Sequence, residues 1–563
     1  MRSPRVFLRV LFALARRYLP AEIAGTVLML AACTVVARWN DHVVTMVLVA
    51  IVAESVGFYG VIGVNVWLEQ WRATSGHDQR LRRTAVRTVA LLCAEFGPAE
   101  VVDTVTRAPI MALGVIVLGP GWVGLMAGKV GADLVFYGFA AGAFLVTKAR
   151  GWRTPSAPAQ NDLIDRRTAE VRALMARPEV ENALARQGTP LLVLDPTVVA
   201  RQYRRLTEAL PYVRFHYALK ALAHPAVLRV IDDEDGWFDV AGAAELALLQ
   251  DLDIDTRRVI HTHPIKTERE IAQAIRAGVS TFVVDNADEL RKLAHAEAGV
   301  RVLVRLAYRN PQASIDLSSK FGVDHAEAER LVRLALAMGV PVAGFSFHVG
   351  SQLDAVAPFR TAVDETLRFM DLLEREYGLA FSVLDIGGGF PVDYRSETVT
   401  IEQIAAAIDP LLRPRAAKLE ILAEPGRVVV ADAMTLVAGV SGVANRPDGH
   451  WAYLDDGVYG SWSNIVFEGI VPLLLTSPDL DGEDRPRRLT TLAGPTCDSI
   501  DVLAREVDLP ELRPGDYVVS PTMGAYSVVT ATEFNGLSAA PVLVLDGRSV
   551  AEAGSRSLSV VTG

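Results

Sequence analysis

Cysteine is almost missing from this chain. Only Cys33, Cys93 and Cys497 occur among 563 residues, far apart and without metal-ligand spacing, so neither a disulfide framework nor a metal site is expected. A basic excess is missing too: 56 Lys and Arg against 66 Asp and Glu leave a formal net charge of −10. That balance argues against nucleic acid, whose phosphates need a cationic surface, and makes small molecules the expected partners. The dinucleotide fingerprint is also lacking. "DIGGGFP" has neither the G-x-G-x-x-G spacing nor an acidic partner about 20 residues later in a suitable strand.

Apolar residues, by contrast, make up 51% of the chain and crowd its first 150 positions. Four runs stand out there: "AEIAGTVLMLAACTVVA", "VVTMVLVAIVAESVGFYGVIGVNVW", "APIMALGVIVLGPGWVGLMAG" and "VGADLVFYGFAAGAFLVTK". A spanning helix needs about 20 apolar residues, which the second run supplies and the first reaches with its flanks. Arginine clusters at the start (Arg2, Arg5, Arg9, Arg16, Arg17), between the second and third runs ("RATSGHDQRLRRTAVR") and after the fourth ("ARGWR"). Four transmembrane helices with both ends in the cytoplasm are therefore expected. A cleaved signal peptide is disfavoured because the apolar signal repeats. Glu54, Glu95 and Asp133 lie in or beside these runs, where helix-to-helix hydrogen bonding accounts for them as well as an ion path would. "TPSAPAQND" then reads as a linker leading to an amphipathic stretch.

From residue 213 onward, short β-branched runs alternate with stretches of helical periodicity. The runs are "VRFHYALK", "WFDVAG", "VIHTHP", "TFVVDN", "RVLVRLA", "VAGFSFHVG", "SVLDIGGG" and "EILAEPGR". Eight such units predict an α/β fold, a (β/α)8 barrel whose active site forms where the strands end. Lys220, Asp239, Arg305, His348, the glycines 387–389, Glu424 and Arg427 all fall at C-terminal ends of different runs. Each alone is uninformative; together they predict one mouth.

That set has a definite chemistry. A lysine flanked by apolar walls loses its proton more readily than in water and can form an imine with an aldehyde. Gly387, Gly388 and Gly389 allow close backbone approach to an anion, and Arg427 offers a bidentate cation, so phosphate is the expected ligand. Glu424 could hold a proton on a ring nitrogen. Aldehyde, phosphate and basic ring nitrogen together describe pyridoxal 5'-phosphate.

From about residue 190 to the C-terminus the chain resembles the fold type III (group IV, alanine-racemase-like) pyridoxal-phosphate decarboxylases of ornithine, lysine and diaminopimelate. "HYALKAL", "FDVAGAAEL", "SFHVGSQ", "DIGGGFP" and "AEPGR" follow in that family's order. The resemblance implies that Lys220 holds the cofactor, His348 stacks on its ring, Glu424 pairs with its nitrogen and Asp239 lies beside Lys220. Ser351, Gly387, Gly388, Gly389, Pro425, Gly426, Arg427 and Tyr526 would surround the phosphate. "DDGVYGSWSNIVFEG", "GPTCDSID", "GDYVVSPTMGAYS" and "FNG" resemble the family's C-terminal β domain. In such enzymes two head-to-tail protomers share each active site, so Cys497 would act as proton donor in the other copy. Asp456 and Asp498 would contact the substrate's distal amine, as paired acids favour a second ammonium.

The expected layout is a membrane region over 1–150, a linker and amphipathic helix over 151–188, the barrel over 189–440 and a β-sandwich or barrel domain over 441–563, with a strand at 190–195 joining the last. The expected place is a multi-pass protein of the cell membrane, in contact with the lipid bilayer, with its catalytic domain in the cytoplasm. "CDS" and "FNG" resemble the ornithine and lysine side of the family, so the expected reaction is decarboxylation of L-ornithine or L-lysine to putrescine or cadaverine, a step of polyamine biosynthesis. Diaminopimelate decarboxylation, a catalytically silent regulatory homologue, and a membrane transporter or tether with a sensing domain are the alternatives. Asp455 stands where the family commonly has asparagine and Trp462 where it has phenylalanine, which leaves pocket size, and so substrate length, open.

Overall fold

The computed structural model describes residues 158–545 apart from 296–298, 311–316 and 448, together with 56–67 and scattered helical positions before residue 118. The chain divides into two compact units, Met1–Asn161 and Asp162–Gly563. In the first, residues 56–67 are helical, with Phe58, Ile62 and Val66 buried at intervals of four and Val56 and Val64 turned outward. A Cβ at Gly57 would stand 2.7 Å from the Cα of Gly25, so two helical segments touch there backbone to backbone. The four expected spans lie for the most part outside the described residues. Among the described residues no helix is long and apolar enough to cross a membrane.

The second unit opens inside the helix Pro158–Met175 and continues with the helix Pro178–Gln187 and a short strand, β1 (Leu191–Leu194). Eight parallel strands follow: β2 (Val213–Ala218), β3 (Trp237–Val240), β4 (Val259–His261), β5 (Thr281–Val284), β6 (Arg301–Leu306), β7 (Val342–Phe347), β8 (Val383–Asp385) and β9 (Glu420–Ala423). They close into a barrel in sequence order, β9 pairing with β2 through Val213 and Ile421, as the eight apolar runs predicted. Alternation along each strand sorts the side chains. Val283, Leu303, Ala343, Val383 and Leu422 form a cluster of their own. Their strand neighbours Phe282, Val302, Val304, Leu384 and Ile421 belong to the large core shared with the surrounding helices. Local signals fix the connections: Thr267 and Glu270 form a capping box that starts the helix Glu268–Arg276, and Thr400 with Gln403 does the same for Ile401–Leu412.

Past the barrel come β10 (Met434–Arg446), β11 (Gly449–Leu454), β12 (Leu475–Thr476), β13 (Arg487–Ala493), β14 (Val502–Pro510), β15 (Tyr517–Ser520) and β16 (Val542–Val544). With β1 they build an eight-stranded sheet assembly ordered β12-β15-β10-β11-β13-β14, with β1 joining β10 and β16. β1 runs antiparallel to β10 and parallel to β16. Asp455 ties this region together: its carboxylate accepts from the Gly439 amide at 2.8 Å and from the Thr189 hydroxyl at 2.5 Å. Trp462 is fully buried, its Nε1 donating to Ser520 Oγ at 3.2 Å.

Candidate active site

At the C-terminal rim of the barrel a small cavity is lined by Lys220, His348, Ser351, Gly389, Glu424, Gly426, Arg427 and Tyr526, with Gln352 and Phe390. All of these except Tyr526 come from loops after β2, β7, β8 and β9, and Tyr526 comes from the β domain. Neither Asp455 nor Trp462 lines it, so the two family departures leave this part of the pocket unchanged.

Lys220 sits on a single 3-10 turn directly after β2, and its Nζ donates to Asp239 Oδ2 at 3.2 Å. Asp239 is buried at the end of β3 and also accepts from the Thr262 hydroxyl. The expectation of apolar walls around Lys220 fails here. Burial works to lower its pKa, but Asp239, Glu424 and Tyr526 together raise it above the ordinary value. Lys220 is therefore an ammonium held by Asp239, with the Glu424 carboxyl at the end of β9 adding to the field around it.

His348 follows β7, and its Nδ1 accepts from the Gly350 amide at 3.0 Å. Burial first, then Arg305 and Lys220, push its pKa well below the usual imidazole range. It is a neutral, fixed, flat ring. Three glycines follow β8, and side chains are excluded at each. An added Cβ would lie 2.0 Å from Phe347 O at Gly387, 2.6 Å from Glu424 O at Gly388 and 2.2 Å from Gly350 O at Gly389. Gly387 and Gly389 also have φ of +66° and +98°, which favour glycine. Gly426 would bring a Cβ to 3.0 Å of Ala221, and the Pro425 carbonyl accepts from Ala218 N at 3.1 Å, locking this turn to β2.

Arg427 is almost fully buried. Its Nη1 donates to Tyr394 Oη at 2.8 Å and Nη2 to Ser351 Oγ at 3.2 Å, while the guanidinium carbon stands 4.9 Å from the ring centre of Tyr526. Nη2 also pairs with Glu468, and Nε has no hydrogen-bond partner. Glu468 and Tyr394 were not singled out from the sequence. Glu468 ends the helix Asn464–Glu468 in the β domain, and only the acid of "NIVFEG", isolated among apolar residues, hinted at it.

Asp456, expected at the substrate, is not among the residues lining the cavity. Its Oδ1 accepts from the amides of Gly457 at 2.7 Å and Ser461 at 3.0 Å, bracing its own turn. Cys497 and Asp498 lie apart from the cavity as well. Cys497 is exposed, its amide donating to Asn535 Oδ1 at 3.1 Å. Asp498 accepts from Tyr459 Oη at 2.6 Å, a bond that holds its carboxyl below the usual range, and Tyr459 stacks on Phe534 at 4.5 Å. The sequence "CDS…FNG" thus makes one exposed ledge.

The donor set fits a phosphorylated pyridine aldehyde. One amine stands at the rim, a buried guanidinium keeps an unpartnered N–H, the glycine turn after β8 packs backbone to backbone beside it, and a buried acid, Glu424, lines the same cavity. This defines the class: a pyridoxal-phosphate enzyme built on a parallel barrel and a β domain. A family profile described as "Pyridoxal-dependent decarboxylase, pyridoxal binding domain" matches residues 197–431. A lysine/ornithine decarboxylase of Selenomonas ruminantium is 36% identical over 374 residues, 66% of this chain and 93% of that protein. Antizyme inhibitor 2 of Xenopus laevis is 34% identical over 369 residues, 62% of this chain and 79% of that one. The crystal structure of a lysine/ornithine decarboxylase from Vibrio vulnificus complexed with putrescine is 40% identical, with a TM-score of 0.61 over 67% of this chain and 99% of that one. The chain belongs to the pyridoxal-phosphate-dependent ornithine/lysine decarboxylase family, and its cofactor is pyridoxal 5'-phosphate.

Proposed function

We propose that the protein removes CO2 from L-ornithine or L-lysine, leaving putrescine or cadaverine. The observation that carries this is the convergence on one cavity of Lys220 from the end of β2, His348 from the end of β7, and Glu424 with Arg427 from the end of β9. Bound pyridoxal phosphate supplies an electron sink for the pair left behind when the carboxylate departs. The remaining work falls to the chain. Lys220 binds the aldehyde and Asp239 keeps its nitrogen in place. His348 offers a neutral ring face, Glu424 holds a proton at the pyridine nitrogen, and Arg427, Ser351, Tyr526 and the glycine amides grip phosphate.

Cys497 is exposed and Asp498 half-buried beside it, and large apolar side chains stand exposed on the same domain, Phe467 at 63% and Ile500 at 56%. These features support a homodimer in which a second copy's Cys497 returns a proton to the substrate carbon and its Asp498 meets the distal ammonium. Turnover of ornithine, lysine, arginine and diaminopimelate, read as CO2 and amine, tests the assignment; activity confined to diaminopimelate, or surviving in Lys220→Ala, would overturn it. The relative named as an antizyme inhibitor makes a silent homologue the competing reading. Intact Lys220, Cys497 and Asp498 oppose it, and purified protein without cofactor absorbance would favour it.

We propose further that residues 1–150 anchor the enzyme in the cell membrane with its catalytic unit in the cytoplasm. The four apolar runs and their arginine-rich flanks support this, as do the outward-facing Val56 and Val117, exposed at 60% and 68%, and the close Gly25–Gly57 contact, a feature of packed membrane helices. Release of the full chain from membranes by alkaline carbonate would contradict it.

A further inference from the structure

Two buried carboxyls meet under the cavity, and the reaction as read above uses only one of them. Asp385 ends β8, paired with Leu422 of β9, and alternates with Val383, which lies in the interior cluster with Leu422. Glu424 stands two residues past Leu422. The two acids thus share the interior side of adjacent strands. The Glu424 amide donates to Gly387 O at 2.8 Å, which prevents the strand ends from drawing apart.

Asp385 is fully buried, and its Oδ1 accepts from the Gly387 amide at 2.9 Å. Its Oδ2 finds no N–H or hydroxyl partner, yet its side chain is within hydrogen-bond reach of the Glu424 carboxyl. Two ionised carboxylates in contact repel; one proton between them turns the contact into a strong hydrogen bond. The charged groups around the pair are Asp239 from β3, Lys220 after β2 and Arg305 from β6, with neutral His348 after β7. Burial first pushes both acids upward; Asp385 and Asp239 add to that at Glu424, whereas at Asp385 the Glu424 hydrogen bond and the Gly387 amide work against it, so the buried pair favours one shared proton over double ionisation.

We propose that Asp385 is a positioning residue: it carries the shared proton on Oδ2 and donates it to Glu424, leaving the other Glu424 oxygen as an ionised acceptor for the cofactor's ring nitrogen. The inference rests on the reading that Glu424 meets that nitrogen. A cationic ring N–H on one side keeps Glu424 ionised, so the proton of the pair resides on the Asp385 side. Asp385 thereby fixes the direction in which Glu424 points and holds down its affinity for a second proton.

The test is the dissociation constant of pyridoxal phosphate from the cofactor-depleted full chain, titrated by fluorescence as a function of pH, with kcat and KM measured beside it. In wild type, affinity falls on the acidic side as Glu424 takes a proton. Asp385→Ala removes the donor, so the acid limb moves up by about one pH unit and kcat falls while KM holds. Asp385→Asn keeps an N–H donor and leaves the limb in place. A downward move in Asp385→Ala would show that Asp385 had been an anion, and an equal move in both variants would show that the donor is immaterial; either result overturns the proposal. Should Asp385→Ala not fold, Asp385→Asn decides alone, a displacement beyond about half a unit refuting it. Glu424→Gln is the control: a limb that survives there would remove the Glu424 reading itself.

Discussion

Replacing Glu468 by glutamine separates the cofactor-free and loaded forms of the site. In the ligand-free chain Glu468 and Arg427 are paired with side chains only 8% and 5% exposed. Removing one partner of such a pair leaves a buried charge and costs about 3 to 5 kcal/mol; glutamine keeps an acceptor, so the lower figure of about 3 applies. Phosphate would engage the same guanidinium, so the loaded enzyme has a substitute for Glu468 and loses less, about 1.5 kcal/mol. The difference must appear as affinity: Glu468→Gln binds pyridoxal phosphate about tenfold more tightly than wild type. Urea unfolding of the depleted and loaded proteins gives the two stabilities, and equilibrium dialysis gives the affinity independently. If the variant loses the same stability in both forms and its cofactor affinity is unchanged, phosphate does not compete with Glu468 for Arg427.

Lys220→Ala abolishes turnover and the cofactor absorbance band retained after gel filtration, while Arg427 still allows weak phosphate binding. Gly389→Ala puts a Cβ 2.2 Å from Gly350 O at a φ of +98°; it lowers stability by at least about 2 kcal/mol and weakens cofactor binding, both measurable by thermal unfolding with and without the cofactor. Lys266 is a pH probe of the barrel: its side chain is fully buried, donating to Val283 O at 2.7 Å and His263 O at 2.8 Å, and burial lowers its pKa to about 8. The unfolded chain then binds more protons between about 8 and 10.5, so stability rises with pH across that window. Against Lys266→Met, the wild-type unfolding free energy should climb by roughly 3 kcal/mol over it; a flat difference would refute the shift. Mixing inactive Lys220→Ala with inactive Cys497→Ala restores up to about a quarter of wild-type activity if two copies share each site, and none if each copy works alone.

Much of the barrel is legible in the sequence for a physical reason. Strands buried on both faces must be apolar throughout, so each appears as a β-branched run, and polar residues survive only where the strand ends. Lys220, Asp239, His348, Glu424 and Arg427 stand out on that account. What surrounds them is less legible. The carboxylates facing Lys220 arrive from strands 19 and 204 positions further along the chain, and no local pattern shows them replacing apolar walls. Glu468 reaches Arg427 only through the docking of the β domain. Asp385 reads as the polar end of one more strand, and only the side-by-side pairing of β8 and β9 brings its carboxyl to that of Glu424. Asp456 carried the right chemistry for an ammonium, but its amide partners at Gly457 and Ser461 are fixed by a turn whose shape the motif does not reveal.

The pairing of β1 sets an order of events during synthesis. Leu194 meets Met434, 240 positions later, whereas the strands of the barrel are contiguous in sequence. A nascent chain can therefore close its barrel on the ribosome while Leu191–Leu194 stays a loose apolar segment, and only the arrival of β10 and finally β16 shelters it. A nonsense codon after the barrel would leave that segment bare for chaperones and proteases to find.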